Sequence, residues 1–143
     1  MKTVSQILAG KPAHVYFVEP QTTVYEALEV MMNKNISALI VLEDNKLKGI
    51  FTERDYARKI ILKGKSSKDT SVSEVMTTSV MTIALNDTID YCMNLMTERH
   101  IRHLPVVENN EVKGMVSIGD VVKSIIEAQR STIEQLESYI NSY

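Results

Sequence analysis

His100-Ile101-Arg102-His103-Leu104-Pro105-Val106-Val107-Glu108 repeats Asn35-Ile36-Ser37-Ala38-Leu39-Ile40-Val41-Leu42-Glu43 at a distance of 65 residues. The register continues: Lys113-Gly114-Met115-Val116-Ser117 falls on Lys48-Gly49-Ile50-Phe51-Thr52, and Asp120 falls on Asp55. Self-similarity at this period marks one supersecondary unit used twice. Upstream, Thr3-Val4-Ser5-Gln6-Ile7-Leu8 matches Ser71-Val72-Ser73-Glu74-Val75-Met76 at a shift of 68, so the first copy carries three extra residues near Gly10-Lys11-Pro12. The expected units are residues 1–65 and 71–130, with 131–143 as a tail that has no counterpart in the first copy.

Each copy spells the same order of elements. Thr3 and Ser71 open Ser/Thr-x-x-Gln/Glu capping boxes before a short apolar turn. Val15 to Val18 and Val80 to Ile83 have strand composition. Thr23-x-x-Glu26 then opens a helix whose Val24, Ala27, Leu28 and Met31 share one face, and Ile89, Cys92, Met93 and Met96 repeat that spacing. Two apolar runs separated by a polar turn follow in each copy, which predicts a hairpin, and then a helix, Arg54 to Lys63 and Asp120 to about Gln129. Gly64 stands where a left-handed C-cap belongs. The reading is a mixed α/β (α+β) fold of two βαββα units related by a pseudo-twofold. A unit of about 60 residues buries too little surface alone, so the copies are expected to share a core. Ser131-Thr132-Ile133-Glu134 reads as a further capping box starting a separate terminal helix, with Ile133, Leu136 and Ile140 on one side, docked on the body or on a second subunit.

Composition narrows the class. The 143 residues are 44% hydrophobic and 24% charged, ordinary for a folded domain. A balance of 16 Lys+Arg against 18 Asp+Glu gives no global attraction to a nucleic-acid backbone or an anionic membrane. No apolar run is long enough to span a bilayer, and Val4 to Ala9 is too short and polar for a signal-peptide core, so a cytoplasmic protein is expected. A single cysteine, Cys92, excludes an internal disulfide.

The chemistry-bearing stretch is Gly49-Ile50-Phe51-Thr52-Glu53-Arg54-Asp55, echoed as Gly114-Met115-Val116-Ser117-Ile118-Gly119-Asp120. Ser/Thr-x-x-acid before a helix is first of all an N-cap. Its recurrence, each time with Gly three residues before the hydroxyl and with Asp as the acid, points further. An ionised Asp offers only acceptors and suits the vicinal diol of a ribose, while a helix N-terminus and nearby Arg suit a phosphate. Nucleotide binding follows as the expectation.

The tandem Gly-apolar-x-Thr/Ser-x-x-Asp signature, behind a hairpin of the His-Leu-Pro-Val-Val type, resembles a pair of cystathionine-β-synthase (CBS) domains, the Bateman module, from Thr3 to about Gln129. The resemblance implies two clefts that accept adenosine compounds such as AMP, ADP, ATP, NAD or S-adenosylmethionine, and a disc-shaped homodimer. It implies Ser117, Asp120 and Arg102 in one cleft, with Tyr16 and Ser37 from the first copy. The other cleft takes Thr52 and Asp55, with Met81, Arg102 or His103 from across the pseudo-twofold. Ala38 and Met115 complete the candidate set, with Arg54 and Arg58 as further phosphate candidates. Ser37, not an arginine, occupies the position equivalent to Arg102, so the Asp120 cleft is expected to bind more tightly. The expected role is a non-catalytic sensor that signals to a separate protein target; NAD(H) binding and a ligand-free dimerisation module are the alternatives. His100 and His103 straddle a predicted helix end and strand start with no Cys near, and Ser117 lacks a nucleophile elbow, so neither a metal site nor hydrolysis is expected.

Overall fold

A computed structural model describes residues 2–12 and 15–142. Its elements are α1 (Val4–Ala9), β1 (Phe17–Val18), α2 (Val24–Lys34), β2 (Ala38–Glu43), β3 (Lys46–Thr52), α3 (Glu53–Asp55), α4 (Val72–Val75), α5 (Ile89–Arg99), β4 (His103–Glu108), β5 (Glu111–Ser117) and α6 (Ile118–Asn141). A π-helical stretch, Tyr56–Ile61, continues α3. The fold is the mixed α+β pair of repeats that the sequence spells.

The two hairpins are built alike to the level of single dihedrals. Asp44 and Asn45 have φ of 52° and 63°, and Asn109 and Asn110 have 51° and 64°. Both turns are therefore two-residue turns with positive φ at each central position, where Asn and Asp are tolerated and the twist matches that of the strands. A bulge follows Val41 in one hairpin and Val106 in the other. Asn35 and His100 end α2 and α5 in the same left-handed conformation, each at φ 54°.

One strand differs. β1 pairs in parallel with β2 through Phe17–Ile40 and Val18–Val41, whereas the expected strand at Val80 to Ile83 is reduced to a single Ile83–Val106 bridge. Pro105 stands where Ile40 has an N–H, and a proline cannot donate to the ladder, so the pairing stops one residue short.

Packing departs from a single shared core. Val18, Val24, Ala27, Met31, Leu39, Val41, Phe51 and Ile60 of the first repeat form one buried cluster, together with Val72 and Val75 of α4. Leu104, Val106, Val116, Val121 and the buried face of α5 form the other, together with Val4 and Ile7 of α1. Each repeat thus lends its opening helical turn to its neighbour. The exchange is fastened by backbone: Val4 N–H donates to Asp87 O at 2.9 Å, Val72 N–H to Thr22 O at 2.8 Å and Val24 N–H to Thr70 O at 2.9 Å. Ala38, Ile40 and Ile50 alternate with the cluster residues and are buried on the opposite face, where the hairpins meet through β3 and β5.

The terminal helix does not restart at Ser131. α6 runs unbroken for 24 residues from the Ser117 cap, and Thr132 Oγ1 bonds back to Ala128 O at 3.1 Å instead of capping a new helix. No Gly or Pro interrupts residues 120–141, so nothing ends the helix where a second cap would have to begin.

Candidate functional site

Both conserved-spacing carboxylates of this duplicated motif act as helix caps. Thr52 N–H donates to Asp55 Oδ2 at 3.0 Å while Thr52 Oγ1 accepts from Asp55 N–H at 3.1 Å. Ser117 N–H donates to Asp120 Oδ2 at 2.8 Å while Ser117 Oγ accepts from Asp120 N–H at 3.2 Å. This reciprocal arrangement satisfies two orphan donors at each helix start. Beyond the cap, the two sites diverge.

Asp55 is buried, and its other oxygen is occupied as well. Oδ1 accepts from Thr77 Oγ1 at 3.1 Å and pairs with Lys59 Nζ at 3.0 Å. Thr77 also exchanges backbone hydrogen bonds with Ile50, at 3.0 and 2.9 Å, and so lies against the edge of β3. The approach is so close that a Cβ on Gly49 would fall 2.7 Å from Thr77 O and 2.8 Å from Met76 Sδ. The small residue at Gly49 thus accommodates the Met76–Thr77 backbone, which fills this side.

At Asp120 the corresponding place holds, among the described residues, side chains and no paired backbone, with Leu8 against Gly114. The three additional residues Gly10-Lys11-Pro12 follow α1 here, and in place of a backbone pairing Lys11 reaches over with its ammonium group, 2.8 Å from Asp120 Oδ2 and 2.8 Å from Met115 O. Both protein partners of the Asp120 carboxylate use Oδ2. Beside this ion pair lies a cavity of about 500 Å³, within the range of small-molecule sites. Leu8, Lys11, Pro12, Val15, Tyr16, Lys34, Asn35, Ile36, Ser37, Ala38 and Ile40 line it from the first repeat, and His103, Lys113, Gly114, Met115 and Ser117 from the second. Three of these are lysines, and none of the described lining residues is acidic.

The wall is ordered by one contact across the repeats and one within the first. Ser37 Oγ lies 3.1 Å from His103 Nε2. The Lys34 ammonium sits 5.3 Å from the centre of the Tyr16 ring, within cation–π range. Burial, then the neighbouring Arg102 charge, holds the His103 ring below its usual proton affinity, with Asp120 pulling the other way and Lys11 adding to the depression. Burial by itself would raise the Asp120 carboxyl. The hydrogen bond and charge of Lys11 and the hydrogen bonds of Ser117 outweigh it and hold the group below the ordinary carboxylate range.

Of the residues singled out in the sequence, Tyr16, Ser37, Ala38, His103, Met115 and Ser117 come together around this cavity, with Asp120 joined to it through Lys11. Thr52 and Asp55 sit at the filled counterpart. Met81 packs against the second core cluster. Arg54 donates to His100 O at 3.0 Å, and Arg58 and Arg102 are exposed. The sequence reading did not single out Lys11, Lys34 or Lys113 as candidates. The one trace of Lys11 was its place in the three residues that break the repeat.

A CBS domain model matches the chain twice, over residues 5–62 and 72–127. The CBS domain-containing protein CBSX3, mitochondrial, of Arabidopsis thaliana is 43% identical over 123 residues, covering 82% of this chain, which spans 60% of that relative's length. A CBS-domain protein from Burkholderia ambifaria MC40-6 superposes with a TM-score of 0.86 at 46% identity, covering 90% of this chain and 96% of the other. The CBS domain pair of protein MJ0100, solved with 5-methylthioadenosine and S-adenosyl-L-methionine, superposes at 0.79 with 26% identity, covering 90% and 98%. Among the described residues no helix is long and apolar enough to cross a membrane.

Proposed function

The chain belongs to the CBS-domain family as a pair of repeats, and from that premise we propose that it is a regulatory, non-catalytic module that binds a phosphorylated adenosine ligand, of the AMP, ADP or ATP class, in the Asp120 cavity. The observation that carries the reading is the cavity's charge: three lysines line it and none of the described lining residues is acidic, while the carboxylates next to it are already paired, Asp120 with Lys11 and Glu111 with Lys113. A zwitterionic, sulfonium-bearing ligand such as S-adenosylmethionine, bound by MJ0100, suits such a wall less well than an anionic phosphate chain.

In this reading Asp120 takes a ribose hydroxyl on Oδ1 and Ser117 sits beside it, while Lys11, Lys34 and Lys113 face the phosphates. Tyr16, Ile36 and Ala38 offer an apolar bed for the base, and burial together with the Arg102 charge disfavours a proton on the His103 ring beside it. A ligand touching both repeats favours whichever arrangement of the repeats it fits best, and shifts the equilibrium only by its difference in affinity between them. That difference is the regulatory output, passed to a protein target or to a second copy. The filled Asp55 side leaves one ligand per chain.

Calorimetric titration of the full chain with AMP, ADP, ATP, NAD, adenosine and S-adenosylmethionine tests this. Saturable binding of the phosphorylated mononucleotides at one site per chain, lost in Asp120→Ala, is expected. Heat from none of the six overturns the reading and leaves a protein-interaction module; a preference for NAD reassigns the ligand.

A further inference from the structure

The match to the CBS domain ends at residue 127, but α6 continues to Asn141, and every described side chain from Ile126 onward is exposed. A helical projection of this length without tertiary packing is marginal in water. Its apolar residues are not scattered. Val122, Ile126, Ile133, Leu136 and Ile140 are 43%, 45%, 54%, 57% and 68% exposed. Together with Gln129 they fall at alternating spacings of four and three, a heptad seam with Ile at each a position from Ile126 on and Val, Gln and Leu at d. Such a seam is the pattern by which helices pair side by side. It lies beside, not on, the face that anchors the helix to its own body through Val121, Ser124 and Ile125.

We propose that this seam joins two copies of the chain in an antiparallel two-helix coiled coil. Antiparallel layering sets Val122 against Ile140 of the partner subunit, Ile126 against Leu136 of the partner subunit and Gln129 against Ile133 of the partner subunit, each layer occurring twice. Charge selects this direction. The e positions of the seam are Lys123, Arg130 and Glu137, and antiparallel helices meet e to e. Lys123 then lies beside Glu137 of the partner subunit at both ends. Arg130 meets its own copy at the axis, with Glu127 and Glu134 one turn before and after it on its own helix to offset the repulsion. A parallel pair would face Arg130 with Ile125 and Glu137 with Thr132, matching no opposite charges at all. The proposal is independent of what the Asp120 cavity binds.

Sedimentation equilibrium of the full chain tests it. The wild type is expected to contain a species of twice the 16.1 kDa chain mass. Leu136→Glu buries two charges per pair and should weaken association by about tenfold or more; Leu136→Gln should weaken it in the same direction without added charge. Leu136 makes no core contact, so both variants should keep the wild-type melting transition. E137K alone should weaken the pair several-fold, and K123E/E137K should restore it. Association unchanged in Leu136→Glu overturns the seam, whatever other face then holds the copies together. Association weakened by Leu136→Glu, together with an E137K loss that K123E/E137K does not restore, overturns the antiparallel direction.

Discussion

Replacing Lys11 by Met should move two ligands in opposite directions. In the unliganded chain the Lys11 ammonium holds Asp120 Oδ2 at 2.8 Å, with side-chain exposures of 35% and 20%. A partly solvated pair of this kind contributes about 0.2 to 1 kcal/mol, and a ribose approaching Asp120 must share or displace it. For adenosine, which brings no phosphate, removing Lys11 frees the acceptor at no loss, so affinity should stay level or rise by as much as about fivefold. For ATP the same substitution removes a charge-assisted hydrogen bond to phosphate, about 1.5 to 3 kcal/mol, and affinity should fall by about 10- to 150-fold. Titration calorimetry of both variants with both ligands at neutral pH gives the four constants. A uniform loss for adenosine and ATP would mean that Lys11 merely shapes the cavity through its bond to Met115 O, and no change for either would place the ligand elsewhere.

Three further outcomes follow from the geometry. Gly49→Ala drives a Cβ to 2.7 Å from the Thr77 backbone oxygen and should cost about 2 to 3 kcal/mol in urea unfolding, whereas Gly114→Ala meets only the flexible end of Leu8 at 2.8 Å and should cost about 1; equal costs would mean that the Met76–Thr77 segment yields as easily as a side chain. Asp55→Ala strips the acceptor shared by Thr52, Thr77 and Lys59 and should lower stability by about 2 to 3 kcal/mol while leaving ATP affinity within about twofold, the reverse of Asp120→Ala, and a large loss of ligand affinity would show that the filled side binds after all. Because burial and Arg102 depress His103, the unfolded chain takes up a proton below the ordinary value of 6.5 that the folded chain refuses, so stability should fall as pH drops from 6.5; urea midpoints at successive pH values should lose that slope in His103→Gln, and an identical slope would clear His103 of it.

The architecture was legible because its signals are local. Hairpin turns at Asp44-Asn45 and Asn109-Asn110, capping hydroxyls at Thr3, Thr52, Ser71 and Ser117, and the left-handed Gly64, at φ 66°, are each decided by a few neighbouring residues. What escaped is what depends on a distant partner. Nothing in Val4 or Val72 says which repeat it will pack against, since either apolar turn fits either core by composition. Thr132 has the side chain of a capping residue, and only the absence of a break before it makes it bond backward. Met81 and Arg54 were candidates through the family resemblance, and their side chains are taken up by the core and by His100 O. Lys11, Lys34 and Lys113 are surface-type residues whose convergence is a property of three separate segments, the loop after α1, the end of α2 and strand β5.

The inequality of the two sides has one origin in the chain. Exchange of α1 and α4 brings the residues that follow each turn to the hairpin of the other repeat, where they meet β3 or β5 beside the duplicated glycine. After α4 the chain goes directly to Thr77, which pairs with Ile50 and closes over Asp55, so the carboxylate must be satisfied by the protein itself, and Thr77 and Lys59 do so. After α1 the three additional residues make the same backbone pairing unreachable, and a side chain substitutes: Lys11 bonds the Met115 carbonyl that a backbone N–H would otherwise have met. A side chain can be displaced by a ligand where a backbone strand pairing cannot, at least not without undoing the interlock of the repeats. Shortening Gly10-Lys11-Pro12 to match the second copy should therefore close the Asp120 cavity as well. Such a deletion is expected to abolish nucleotide binding while raising the melting temperature, and a shortened chain that still binds ATP would refute the account of why only one side is open.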